Sequence, residues 1–373
     1  MRRSLPSTAG PWETRLFGIV AAVLVAFGVV AIYSASSVLY GSSFAVRQLI
    51  GAGLGVVAML IATRIDYHAW RDGAWLLLGA AVLMLLILLL PFMDFMTQTV
   101  KGATRWLQFG SVQFQPSELA KFAVIVWTAM LAAKKDTAVR DLKRGLLPFI
   151  VIIVPVSCLI LLEPDLSTAC LLILLAGIVL FTAGAKIGHF LLIGLAASPF
   201  VGGSMARAAY QVQRMTSFLS PGEDLQNGNW QIQQSLTGFG AGRLFGVGFG
   251  KGSQKLGYLP EAHSDFIYST IGEEWGFIGA TATVLLYWLL ITLGLRVART
   301  APDRFGMLLA TGITALIGVT ALTHIAVNLA LLPSTGLPLP FLSDGRSNLV
   351  ISLFATGVLI NIGNSRFRPA KHR

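Results

Sequence analysis

The chain has 373 residues, 55% of them hydrophobic and only 12% charged, with a mean hydropathy of +0.72 and a formal net charge of +11. Such a composition excludes a soluble domain. Apolar runs of about 18 residues or more recur along the chain, so the expectation is a single all-α polytopic integral membrane domain over 1–373.

Ten spans are predicted, at 16–34, 45–63, 73–93, 117–133, 147–162, 166–184, 187–205, 265–295, 306–331 and 347–363. The first follows Arg2, Arg3 and Arg15 and lacks a small-residue cleavage pattern, so it reads as a retained span. The run at 265–295 is long enough to tilt or to project beyond the bilayer. Cys158 and Cys170 both fall in apolar runs and read as small buried hydrophobes, not as a disulfide framework or a metal site.

Lys and Arg in the short connections set the orientation. One side gathers the N-terminus, Arg64, Arg71, the basic run 134–144, Lys186, Arg296, Arg299, Arg304 and the tail. That is 18 of the 28 basic residues, and it marks the cytoplasmic face, with both termini on it. The positive charge is thus topology and attraction to anionic lipid, and nucleic acid is not an expected partner.

The opposite face carries segments 94–116, 163–165, 206–264 and 332–346. The longest, 206–264, connects the seventh and eighth spans and is long enough to be functional or disordered. It holds Arg214, Arg243, Lys251 and Lys255 against the topological bias. An anionic ligand such as a phosphate accounts for them, and so does attraction to lipid headgroups.

That loop leads into LPEAHSDFIYSTIGEEWGF, residues 259–277. Asp265 and Glu273 are eight residues apart, about 12 Å along a helix. A carboxylate at membrane depth is costly and faces a protein interior or a wet cavity. Asp265, with His263 beside it, is therefore either a functional group or a helix cap. The Glu273/Glu274 pair is either part of a polar path or a source of interhelical hydrogen bonds.

In 101–121, KGATRWLQFGSVQFQPSELAK, Pro116 and Glu118 open a helix on which Glu118 and Lys121 share a face. The simplest account is an ion pair at the bilayer rim. A second has Lys121, with Arg105, reach a ligand phosphate. The segment 333–348, PSTGLPLPFLSDGRSN, has three prolines and two glycines and must be an irregular loop covered by protein or water. It would present Ser334, Thr335 and Ser343, and His324 and Asn328, one turn apart on the preceding span, could join the same cavity. There is no G-x-x-x-x-G-K-[ST], H-E-x-x-H or G-x-S-x-G, which argues against a nucleotide-driven pump and a common hydrolase.

Taken together, GATRWLQFGSVQFQPSELAK, EPDLST, YQVQRMTSFLSP, GNWQIQQSLTGFGAGRLFGVGFGKG, LPEAHSDFIYSTIGEEWGF and LPSTGLPLPFLSDGRSN resemble the SEDS family (shape, elongation, division and sporulation proteins), in family order over nearly the whole chain. The resemblance implies a peptidoglycan glycosyltransferase of the bacterial cytoplasmic membrane that polymerises lipid II at the outer face. It implies a class B penicillin-binding protein as partner, beside other divisome or elongasome membrane proteins. It places the family's essential aspartate at Asp265. QKLGYLPEAH leans toward the division-type members. The chain departs from the family at 343–348, where Ser-Asp-Gly-Arg-Ser-Asn stands for Ser-Tyr-Gly-Gly-Ser-Ser.

Polymerisation needs a base for the acceptor hydroxyl, charge for the departing pyrophosphate and a groove for two lipids. Asp265 is the expected base, acting with inversion at the donor sugar. Arg105, Glu118, Lys121, Arg214, Arg243, Lys251, Lys255, His263 and Ser343 are the expected substrate-binding residues. A divalent cation could supply the charge, although no ligand cluster of recognisable spacing marks one. A flippase of lipid-linked precursor is the alternative, and it would require a polar path and interrupted helices near the midplane.

Overall fold

The computed structural model describes residues 12–90, 97–100, 103–110, 112–191 and 229–366. Apolar sequence becomes helix here because only a helix satisfies its own backbone polar groups in lipid. The helices are α1 (Trp12–Tyr40), α2 (Ser43–Arg64), α3 (His68–Asp72), α4 (Ala74–Leu88), α5 (Pro116–Lys135), α6 (Leu147–Leu162), α7 (Leu166–Thr182), α8 (Asn229–Gly242), α9 (Ile267–Arg299), α10 (Arg304–Asn328) and α11 (Arg346–Ser365). Among the described residues, seven helical segments are long and apolar enough to cross a membrane, and α4 and α7 are shorter apolar helices. The protein is a multi-pass helical membrane protein. The predicted seventh span, 187–205, lies mostly outside the described residues, as do Arg214 and much of the 206–264 loop.

α5, α10 and α11 form the centre and are buried on most sides. α2 presents Leu49, Ile50, Leu54, Val57 and Leu60 outward to lipid and packs its small residues on α11. There a Cβ on Gly357 would overlap the Met59 carbonyl, the close approach that small residues permit between membrane helices. Cys158 and Cys170 are unpaired, and Cys170 is exposed, not buried as its sequence context suggested.

Two features differ from the sequence expectation. Segment 97–114 forms a three-stranded antiparallel sheet, β1 (Thr97–Val100), β2 (Ala103–Phe109) and β3 (Val112–Phe114). Leu107 pairs with Phe114, and the turn between them holds Gly110 at φ +62°. Alternating β-branched and aromatic residues favour this pairing, a period-two signal that a search for apolar runs passes over.

The long run after Asp265 is bent at Gly276, whose φ of 66° is non-helical. The 23 residues after the bend, 277–299, span about 34 Å, the thickness of a bilayer core. Gly276 also abuts the Gly246 backbone, where a Cβ would overlap the Gly246 nitrogen. Gly276→Ala should therefore destabilise the protein by at least about 1–3 kcal/mol, seen as a lowered melting temperature in detergent.

Opposite ends of the bundle carry different chemistry. At one end, Arg304 pairs with Asp136 and donates to the Ala183 carbonyl at 2.8 Å, Tyr67 donates to Asp303 at 2.7 Å, and Arg366 lies 3.8 Å from Glu13. Asn328 ends α10 about 36 Å from Arg304. Its amide donates to the Asp265 carbonyl at 3.1 Å, so Asp265 belongs to the other end.

Candidate active site

Asp265 stands in the turn just before α9, partly exposed, at a small open pocket. Gln231 of α8, His324 of α10, and Ser334, Thr335 and Gly336 of the proline-rich segment line it with Asp265. The segment comes so close that a Cβ on Gly336 would lie 3.8 Å from Asp265 Oδ2.

Asn328 ties these parts together. Its Nδ2 donates to the carbonyls of Asp265 and His324, its Oδ1 accepts from the Ser269 N–H at 3.0 Å, and its carbonyl accepts from Ser235 Oγ at 2.7 Å. The proline-rich segment is irregular, as its composition requires, and its turns are pinned by side chains. Ser343 Oγ accepts from the Leu339 N–H and donates to the Ser264 carbonyl, and Gln48 donates to the Ser343 carbonyl. Tyr287 donates to the Pro340 carbonyl, and the Asp344 N–H donates to the His263 carbonyl.

The other sequence candidates do not converge on this pocket. Ser343 is buried, and its hydroxyl serves the backbone bonds just given. His263 is buried against the ring of Phe44, 4.2 Å between centroids, with Nε2 3.9 Å from Glu261. Glu118 and Lys121 are fully buried and paired at 2.9 Å, and Asn348 of α11 donates to the second Glu118 oxygen at 3.0 Å. Lys255 is buried and paired with Glu274 at 2.8 Å, with Ser34 bonded to both. Arg243 and Lys251 are exposed beyond the far end of α8. Of the residues lining the pocket, Gln231 was not singled out. It lies in the quoted motif GNWQIQQS, where polar side chains at helical spacing were the available signal.

Arg105 reaches from β2 to the EPD turn, donating from Nε to the Glu163 carbonyl at 2.9 Å and from a terminal nitrogen to the Pro164 carbonyl. Glu163 is 2% exposed, and neither carboxylate oxygen has a hydrogen-bond partner among the described residues. Burial pushes its pKa up to about 8, Asp165 adds to the rise, and Arg105 opposes it. The folded state therefore holds this proton more tightly than the unfolded chain. The resulting stability is full below pH 4.5 and is lost as pH rises through about 8. Glu163→Gln should melt above the unsubstituted protein at pH 8.5 and level with it at pH 4.5, in melts taken across that range.

At the departure from the family pattern, Arg346 donates to Gln113 of β3 at 3.0 Å. Burial raises the Asp344 pKa to about 6, while Arg346 and Arg47 act against the rise. Among the described residues, no group of three or more His, Cys, Asp or Glu is arranged to hold a metal ion.

The family model described as "Cell cycle protein" (FTSW_RODA_SPOVE) matches residues 14–367. A probable peptidoglycan glycosyltransferase FtsW of Trichlorobacter lovleyi is 43% identical over 345 residues, 91% of this chain and 90% of the relative. Among solved structures, one described as the structural coordination of polymerization and crosslinking by a peptidoglycan synthase complex contains a similar chain. The TM-score is 0.80 at 26% identity, over 95% of this chain and 98% of that one. The rod shape determining protein RodA of Thermus thermophilus matches with a TM-score of 0.71 at 26% identity, over 95% and 97%.

Proposed function

The chain belongs to the FtsW/RodA/SpoVE family of cell cycle proteins, and on that premise we propose that the Asp265 pocket is where its peptidoglycan glycosyltransferase reaction takes place. The substrate is lipid II, and the pocket opens at the outer face of the cytoplasmic membrane, with both termini on the cytoplasmic side. The acceptor sugar's hydroxyl gives its proton to the Asp265 carboxylate and attacks the anomeric carbon of the donor sugar. The bond from that carbon to the lipid pyrophosphate breaks on the opposite side, so the configuration inverts and the pyrophosphate leaves with its lipid.

One observation carries this reading. Asp265 is an accessible carboxylate in a polar pocket, at the end of the bundle away from the Arg304 and Arg366 face. The buried cations are fitted otherwise. Lys121 and Lys255 are each held against a glutamate, which suits them to building the outer half of the bundle. Arg243 and Lys251 are exposed but lie beyond the far end of α8 from the pocket, which leaves Arg214 of the sequence candidates for the pyrophosphate.

The partner is a class B penicillin-binding protein that crosslinks the strands this chain makes. A resemblance to a chain of a peptidoglycan synthase complex supports it. The division-type role is favoured by 43% identity to an FtsW against 26% to a RodA.

The flippase alternative calls for an interrupted helix, and α9 is one. The carboxylates beside the break offer no polar path, however. Glu273 accepts from the Ser253 N–H and hydroxyl and from the Gln254 N–H, and Glu274 is matched by Lys255 and Ser34. Labelled lipid II added to liposomes carrying the full chain separates the two readings. Glycan chains mean polymerase, and translocation without product means flippase.

A further inference from the structure

His324 is 1% exposed, lines the Asp265 pocket and, among the described residues, uses one of its two ring nitrogens. Nδ1 lies 2.8 Å from the Leu337 carbonyl oxygen. A carbonyl can only accept, so Nδ1 carries the hydrogen, and in the neutral ring Nε2 is left as a bare acceptor. Nε2 is buried and has no hydrogen-bond partner among the described residues. The Leu337 bond accounts for the histidine's hold on the proline-rich segment. It does not account for Nε2.

Asp265, when ionised, is also an acceptor only. With Asp265 taken as the base for the attacking hydroxyl, His324 Nε2 needs a donor of its own, because a single hydroxyl has one hydrogen and cannot serve both. Neighbouring hydroxyls on a pyranose ring supply the two donors. We propose that the pocket binds two adjacent hydroxyls of the acceptor sugar, one at Asp265 and the other at His324 Nε2. The first loses its proton in the reaction, and the second keeps its own and fixes the ring. This rests on the reading of Asp265 as the base and adds the group that orients the sugar in front of it. His324 is thus a specificity residue that selects an acceptor with a free hydroxyl beside the attacking one.

The test crosses protein and substrate variants. The full chain, with its transpeptidase partner, is reconstituted in liposomes and given a lipid-linked acceptor or the analogue lacking the hydroxyl next to the attacking one. His324→Asn is the informative variant, because its side-chain amide can still donate to the Leu337 carbonyl but offers nothing at the Nε2 position. His324→Gln extends an amide toward that position.

The unsubstituted protein should lose about 10- to 100-fold in kcat/KM on the deoxy acceptor. His324→Asn should lose a similar factor on the natural acceptor and little more on the deoxy one, with His324→Gln recovering part of the loss and all three proteins melting alike. Losses that multiply would overturn the proposal, as would a His324→Asn enzyme equal to the unsubstituted one. Asp265→Asn is run alongside. If it turns over, the base assignment fails independently, and the His324 comparison still reads out on its own.

Discussion

Asp265→Asn should lower lipid II polymerisation by about 10²- to 10⁴-fold, the range that a positioned general base contributes. The exchange is close to isosteric. Its backbone role is untouched, because Asn328 bonds to the Asp265 carbonyl and not to the side chain. Melting temperature and partner binding should therefore hold while turnover collapses. Gel analysis of glycan product from labelled lipid II, beside a melt of the same preparation, makes the comparison. An Asp265→Asn protein that still builds chains at a tenth of the normal rate or better would sink the assignment. The size of the loss also separates base from bystander, because a carboxylate that only orders the turn would fail through instability instead.

Most of the fold was legible because lipid imposes a coarse rule: about twenty apolar residues make a span. Nine of the ten predicted spans coincide with described helices, with ends shifted by a few residues. The 306–331 span stops early, at Asn328, whose side chain is needed across the pocket and whose carbonyl goes to Ser235. Asp265 was legible as a carboxylate at the mouth of an apolar run. The partners of the other charges were not, because they come from far along the chain. Ser34 meets Glu274, Asn348 meets Glu118, and Arg105 meets Glu163, pairings that sequence spacing does not encode. Glu118 and Lys121 are the exception, being one helical turn apart, and the ion-pair account of them describes what the structure holds. The bend at Gly276 was hidden for a related reason. Its glycine sits in a run that scores as continuous, and the contact that requires it is Gly246, thirty residues earlier.

Lys121→Met is the second large effect, and it tests whether a buried lysine builds the site or touches substrate. The ammonium is 1% exposed and 2.9 Å from Glu118, so removing it leaves a carboxylate in the protein interior with Asn348 as its one remaining donor among the described residues. Loss of one partner from such a pair costs about 3–5 kcal/mol, a large part of a typical domain's stability. Lys121→Met should therefore melt far below the unsubstituted protein. The double change Glu118→Gln with Lys121→Met should recover most of that stability, because no unpaired charge remains. Polymerisation by the folded fraction of the double variant then decides the lysine's role. If Lys121 only pairs with Glu118, activity returns along with stability. If its ammonium meets the pyrophosphate, the double variant is stable and still slow. The geometry favours the first result, since the Glu118 carboxylate already occupies the ammonium and neither residue lines the Asp265 pocket.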